Sequence, residues 1–172
     1  DLLSKLDIVF PVLHGPYGED GKIPGLLEMA GRPYVGAGVL GSAVGMDKAA
    51  MKALLEHAGL PVAPHFLILR SNWRANSKSL ATSLVNDLGY PMFVKPANLG
   101  SSVGISKVHN LVQLHEAMDL AAQYDRRLIA EQAIHDAHEI ECSVLGNDSP
   151  EASVCGEIFP AGEFYDYESK YT

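Results

Sequence analysis

Six consecutive apolar residues, Ile8-Val9-Phe10-Pro11-Val12-Leu13, run directly into the glycine-rich segment His14-Gly15-Pro16-Tyr17-Gly18-Glu19-Asp20-Gly21. An apolar run of that length without polar alternation predicts a strand in a sheet covered on both faces. The glycine-rich segment predicts a loop at the strand's C-terminal end. A short helix is predicted over Ile23 to Ala30, stopped by Gly31, and Pro33-Tyr34-Val35-Gly36 reads as a second strand. Strand, helix and strand at this spacing make a βαβ unit with a parallel sheet. Leu2, Leu3 and Leu6 read as the end of a preceding helix.

Beyond residue 46 the pattern changes. Asp47 is a good N-cap for a helix whose stripe Met51, Leu54, Leu55 and Ala58 falls at i, i+3, i+4, i+7, with Gly59 and Pro61 ending it. His65 to Leu69 reads as a strand, polar Arg70 to Ser79 as a linker or loop, and Leu80 to Leu88 as a helix. Met92-Phe93-Val94-Lys95-Pro96 is a strand, Ala97 to Gly104 a Gly/Ser loop, and Ile105 to Val108 a returning strand. Asn110 with Gln113 forms a capping box for a helix with apolar face Leu111, Leu114, Met118 and Ala121. Arg127 to Glu131 is a further strand. Glu139 to Leu145 and Ser153 to Phe159 then flank a Gly146-Asn147 turn and predict an antiparallel pair, before a polar, aromatic tail from Pro160 to Thr172. The whole reads as α/β, a parallel piece followed by antiparallel pieces, in blocks 1–46, 47–131 and 132–172.

Composition excludes several functions. Of 172 residues 47% are hydrophobic and 20% charged, as in globular proteins. A net charge of −8 without a basic stripe argues against a nucleic-acid partner. No run approaches the ~20 apolar residues of a membrane span, so no membrane partner is expected. Cys142 and Cys155 are too few for a disulfide framework and lack zinc-ligand spacing, which predicts a reducing, cytoplasmic setting. A start at Asp1 and an end at Thr172, straight after a loop-like stretch, predict a fragment cut at both ends.

Two lysines stand out. Lys95 sits in an apolar strand on the same face as Phe93, just before Gly100-Ser101-Ser102-Val103-Gly104. Loops of that composition, rich in free N–H groups and hydroxyls, cradle phosphates. Lys48 lies in the first turn of the helix capped by Asp47, where a cation opposes the helix dipole unless it meets an anion. A shared anion explains both. The strand end Glu131-Gln132-Ala133-Ile134 can offer backbone groups to an adenine edge, and Glu139 can accept from ribose hydroxyls. His14 lies at the strand end where open α/β sheets bind ligands. His135 and His138, with Glu139 and Glu141, read as a solvated turn rather than a metal cluster.

Taken together, several motifs resemble the D-alanine–D-alanine ligase family over essentially the whole chain. They are Leu13-His14-Gly15, Gly18-Glu19-Asp20-Gly21, Tyr34-Val35-Gly36-Ala37-Gly38, Met46-Asp47-Lys48, Phe93-Val94-Lys95-Pro96, Gly100 to Gly104, Glu131-Gln132 and Phe164 to Tyr171. The resemblance implies an ATP-grasp fold: 1–46 as part of a Rossmann-like N-terminal domain, 47–131 as the central small domain, and 132–172 as the start of the large domain with an ω-shaped lid. It implies that Lys48, Lys95 and Lys170 contact the ATP phosphates while Ser101 and Ser102 close over them. Glu131, Gln132 and Ile134 would line the adenine and Glu139 would meet the ribose. His14 would sit near the first D-alanine, and Ser101 and Tyr171 would join a relay holding the substrate amine.

The implied reaction joins two D-alanines through an acyl phosphate for peptidoglycan synthesis, with ATP and Mg²⁺ (or Mn²⁺), in a cytoplasmic homodimer. The family's acidic anchor for the first D-alanine and its metal ligands fall outside this sequence. No metal ligand is therefore named, and the chain alone is expected to be inactive. The alternatives are a ligase using D-lactate or D-serine, which a tyrosine at position 171 disfavours for D-lactate, and a non-catalytic nucleotide-binding module.

Overall fold

Residues 5–159 are described by the computed structural model. The chain divides into two compact units, 1–133 and 134–172.

The apolar run that opens the first unit pairs as expected, in parallel, but over one bridge only. The Val9 N–H donates to the Pro33 carbonyl and the Val35 N–H to the Val9 carbonyl, both at 2.9 Å. The run is not covered on both faces: Phe10 and Val12 are each 70% exposed. A parallel strand buries both faces only when neighbouring strands carry helices across it, and among the described residues a single neighbour reaches it. Helix α1 (Lys22–Met29) starts at Gly21, whose φ of 90° favours glycine and whose added Cβ would lie 2.7 Å from the Val39 carbonyl oxygen. Helix α2 (Val39–Met46) follows in a glycine-containing stretch that gave no periodic signal. Helix α3 (Lys48–His57) begins at Asp47, whose Oδ1 accepts from the N–H groups of Ala49 and Ala50 at 3.1 and 3.0 Å, the expected N-cap.

The buried side of α3 is not the expected one. Ala49 and Lys52 are buried, while Leu54 is exposed. The leucine stripe sets a possible apolar face, but what the helix packs on decides which face is used.

Four strands build the central sheet: β1 (His65–Leu69), β2 (Met92–Pro96), β3 (Ser106–Val108) and β4 (Arg127–Gln132), in the order β1-β4-β2-β3, every pair antiparallel. Directly paired residues share a face in such a sheet. One face carries Ile68, Met92, Val94, Val108, Leu128 and Ala130. These pack against α4 (Arg70–Leu88) and α5 (Leu111–Tyr124) in one continuous core. Helix α5 contributes Leu114, Ala117, Met118, Ala121 and Ala122, at helical spacing. Leu111, expected on that face, is exposed. Its N-terminus carries Asn110 as cap to the Gln113 N–H at 3.0 Å, while the Gln113 side chain accepts from His109, one residue before the position a standard box uses.

The loop expected over Arg70 to Ser79 is instead the first half of α4, which bends at the non-helical Asn76. Trp73 accounts for this. It is buried, donates its Nε1–H to Asp119 at 2.9 Å, and packs on the His115 ring at a 45° tilt with centroids 5.1 Å apart. One buried aromatic side chain outweighs the weak helix propensity of the serines and asparagines around it.

The opposite face of the sheet carries Phe93, Lys95, Lys107, Ile129, Glu131 and His65. Ile129 forms a small core there with Ala49 of α3 and Ala97. This half-apolar, half-charged face bears the candidate site.

In the second unit, β5 (Glu139–Glu141) pairs with β8 (Gly156–Ile158) and β6 (Val144–Leu145) with β7 (Glu151–Ala152), both antiparallel. The single predicted hairpin thus becomes two short ladders. Between them Ser153 breaks the pairing by accepting from the Ser143 N–H through its hydroxyl. No helix among the described residues is long and apolar enough to cross a membrane.

Candidate functional site

Strand alternation places Lys95 on the sheet face that looks toward α3, with its ammonium 5.1 Å from the Phe93 ring centroid. Glu131 of β4 lies beside it, in register with Phe93. The two form an ion pair through Glu131 Oε1. The other carboxylate oxygen, Oε2, accepts from the Lys52 ammonium at 2.9 Å. Sequence reasoning missed Lys52. The available signal was its spacing: four residues after Lys48, it occupies the same face of α3 one turn on.

Lys48 completes the cluster. Its backbone N–H donates to the Ala97 carbonyl at 2.9 Å and its ammonium to the Leu99 carbonyl at 2.5 Å. Both acceptors belong to the first residues of the Gly/Ser loop. Burial pulls the Lys48 ammonium down to about 8, and repulsion from Lys95 adds to this against the attraction of Glu131, Asp47 and Asp125. Burial alone would raise the Glu131 carboxyl, but Lys95 and then Lys52 hold it below the usual carboxylate range. Two ammonium groups therefore hold one ionised carboxylate, and a third, that of Lys48, lies within its electrostatic reach. Nearby Asp47 pairs with Arg127 and adds no net charge. An excess of positive charge in a half-buried place is stable when an anion neutralises it.

The Gly/Ser loop is anchored at its start. The Asn98 N–H donates to Asp125 at 2.8 Å and the Ala97 N–H to the Arg127 carbonyl at 2.9 Å. At its tip Ser101 and Ser102 take φ of 54° and 57°, the left-handed region, where a non-glycine residue costs roughly 1–2 kcal/mol. At its end Gly104 has φ of 71°, and a Cβ there would lie 2.7 Å from the Tyr124 ring and 3.0 Å from Pro96. The loop is thus held between two anchored ends.

A cavity of 660 Å³ adjoins the cluster. Lys48 and Met51 of α3, Gly100 and Ser101 of the loop, and Leu13, Gly18 and Glu19 of the first glycine-rich segment help to line it. The two glycine-rich loops meet closely, since a Cβ on Gly100 would lie 3.5 Å from Gly15 Cα. Glu19 accepts from the Gly15 N–H and so fixes the first loop's turn. His14 is exposed and does not line the cavity.

The adenine-side residues divide. Glu131 joins the lysines, but Gln132 points to the other sheet face, where its Nε2 donates to the Leu88 carbonyl at 3.1 Å. Adjacent strand residues face opposite ways, so one strand cannot send both side chains to the same ligand. The backbone N–H groups of Gln132 and Ala133 are also used, by the Pro64 and Pro91 carbonyls at 2.9 and 3.1 Å. Ile134 and Glu139 belong to the second unit, both exposed. Lys170 and Tyr171 lie outside the described residues. In the turn after Ile134, His138 contacts Glu157 rather than a metal cluster, and no group of three potential metal ligands occurs among the described residues. The buried carboxylates Glu131 and Asp47 are committed to cations. The described residues therefore do not fit a Mg²⁺ site, whereas the lysine cluster and loop fit polyphosphate.

Comparison with known proteins agrees with this chemistry. The family model described as D-ala D-ala ligase C-terminus matches residues 54–172, and that described as D-ala D-ala ligase N-terminus matches residues 1–37. The chain is 56% identical to a D-alanine–D-alanine ligase of Chloroherpeton thalassium, over 98% of this chain and 46% of that protein. It is 57% identical to one of Heliobacterium modesticaldum, over 96% and 45%. Among solved structures it is similar to the D-alanine-D-alanine ligase from Coxiella burnetii, with a TM-score of 0.81 and 41% identity over 90% of this chain and 45% of that one. It is equally similar to the VanG D-Ala:D-Ser ligase of Enterococcus faecalis, with a TM-score of 0.82 and 41% identity over 98% and 48%. The chain spans about half the length of these relatives. The fold is the ATP-grasp fold of these ligases, and the chain belongs to the D-alanine–D-alanine ligase family.

Proposed function

We propose that this chain forms the N-terminal and phosphate-binding part of an ATP-dependent ligase that joins two D-alanines into D-alanyl-D-alanine for peptidoglycan. The observation that carries the reading is the gathering of Lys48, Lys52 and Lys95 around the single Glu131 carboxylate, beside a cavity walled by Gly100 and Ser101. When bound, the nucleotide supplies its γ-phosphoryl group. Lys48 and Lys95 neutralise phosphate charge, and the loop with left-handed Ser101 and Ser102 has the backbone form from which anion-binding turns are built. Phosphoryl transfer rewards charge placement more than a protein nucleophile, and none is built into this site. Glu131 orients the two lysines. Ser101, at the cavity wall, is placed to meet the amino-acid substrate, with Lys170 and Tyr171 assigned to a lid.

The reading extends to blocks 1–46, 47–131 and 132–172 as N-terminal, central and large-domain portions; the change from parallel to antiparallel pairing near residue 47 supports the first boundary. It extends also to Ile134 and Glu139 on the nucleoside, Mg²⁺ ligands outside this chain, and a cytoplasmic homodimer. Lys95→Ala in the full-length ligase tests it. ATP binding should weaken at least tenfold, about 1.4 kcal/mol, with the circular-dichroism spectrum unchanged. Unaltered ATP binding would reject the assignment. D-Serine as acceptor is the second reading, favoured by the likeness to the VanG protein; competition of D-serine against D-alanine in product analysis decides between them.

A further inference from the structure

The phosphate-binding role assigned to Lys48 and Lys95 leaves Lys52 unexplained. It is 9% exposed, yet it lies on a helix whose exposed side was available to it. Desolvating an ammonium costs several kcal/mol unless a partner repays it. The partner is Glu131 Oε2, 2.9 Å away. The groups facing Glu131 are Lys95 and Phe93 from β2, His65 from β1 and Lys52 from α3, while Lys48 acts on it only through charge.

This arrangement has a consequence for charge. With Lys52 absent, Glu131 and Lys95 would close into a one-to-one pair and cancel. With Lys52 present, the carboxylate is shared between two ammonium groups, and the cluster keeps a net positive field directed at the anion. Lys52 also fixes the carboxylate from the side opposite Lys95, so the Lys95 ammonium is held by one oxygen only. We propose that Lys52 is a positioning residue: by holding Glu131 Oε2 it keeps Lys95 oriented and only partly neutralised, so that Lys95 can serve an incoming polyphosphate. Lys52 itself does not line the cavity. It acts through Glu131.

The inference rests on the functional reading above, and the test separates the two. ATP binding is measured by calorimetry on the full-length ligase and its Lys52→Met, Lys52→Arg, Glu131→Gln and doubly substituted Lys52→Met/Glu131→Gln forms. Lys52→Met should weaken ATP at least tenfold and raise KM for ATP more than KM for D-alanine. Lys52→Arg should restore binding to within about threefold of the unaltered protein. In the Glu131→Gln background the Lys52→Met substitution should have less than half of its effect, because the carboxylate through which it acts is gone. Should Lys52→Met fail to fold, Lys52→Gln, which keeps an N–H donor without the charge, carries the same expectation. An unaltered protein that binds ATP with a Lys52→Met form that matches it overturns the inference alone. So does an effect of equal size in both Glu131 backgrounds. No ATP binding by the unaltered protein overturns the functional reading and this inference together.

Discussion

The apolar run at Ile8 to Leu13 and the strand Met92 to Pro96 are both hydrophobic, yet they end in opposite environments. Met92 and Val94 are fully buried under α5, while Phe10 and Val12 stand 70% exposed. The difference is one of partners. The strand β2 has a neighbour on each edge and two helices across one face. The N-terminal run has one bridge and no helix over it among the described residues. An apolar run states which surface a segment can bury, and the topology around it decides whether that surface is buried. The candidate site draws on both regions, since its cavity has one wall from the poorly covered segment and another from α3 and the Gly/Ser loop that continues from β2.

The largest expected effect breaks this symmetry of sequence directly. Leu128→Ala, in the centre of the sheet core, should destabilise the chain by about 2–5 kcal/mol, through lost burial and a residual cavity. Phe10→Ala in the same 172-residue chain should change stability by less than about 0.5 kcal/mol. Urea unfolding followed by circular dichroism measures both. A Phe10→Ala loss comparable to that of Leu128→Ala would show that the N-terminal run is packed after all. In a protein of the relatives' full length the same Phe10→Ala form sharpens the comparison: a cost that rises there measures how much the remaining half covers the run.

Next in size is the end of the Gly/Ser loop, where the well-packed region meets the ligand side. Gly104→Ala forces a left-handed backbone on alanine and drives its Cβ toward the Tyr124 ring and Pro96, neither of which can swing far. A loss of about 2 kcal/mol in urea unfolding is expected. Ser102→Gly, which relieves a positive φ without a new contact, should shift stability the other way by up to about 1 kcal/mol. If both substitutions are neutral, the loop's backbone is not fixed as described.

How far these features could be read from sequence depends on the range of the forces involved. The strands β1 to β4, the Asp47 and Asn110 caps and the lysine placed on the Phe93 face followed from local pattern, because alternation and capping are local. The motif set carried the family as well. The helix over Arg70 to Ser79 did not show, because a distant Asp119 and the core around Trp73 stabilise it. Lys52 was hidden for the same reason: its partner is 79 residues away on another strand. The face of α3 was misread because the apolar stripe and the packing surface differ, and the Glu131-Gln132 motif by itself did not show that the Gln132 side chain meets the Leu88 carbonyl on the other sheet face.

The smallest expected effect concerns Lys48, at the junction of the two regions. Its folded ammonium titrates at about 8 against 10.5 in the unfolded chain, because burial and then Lys95 disfavour the charge. The folded state therefore holds the proton less tightly than the unfolded state. Below about pH 8 the group is charged in both states and its desolvation cost is fully present. Between pH 8 and 10.5 the folded form sheds the proton and the cost shrinks, so this group's contribution to stability improves as pH rises. Phosphate binding responds in the opposite sense, because it needs the charge. From pH 8 to 9 the charged fraction in the free protein falls about fivefold, so ATP affinity should weaken by about the same factor, about 1 kcal/mol. Lys48→Arg keeps its charge throughout and should flatten that slope, since guanidinium does not titrate in this range. Calorimetric titration of the full-length ligase with ATP at pH 7, 8 and 9, in buffers of matched ionic strength, reads the slope in both forms. Equal slopes in the two proteins would remove Lys48 from the phosphate site and leave the anion to Lys95 and the sheet alone.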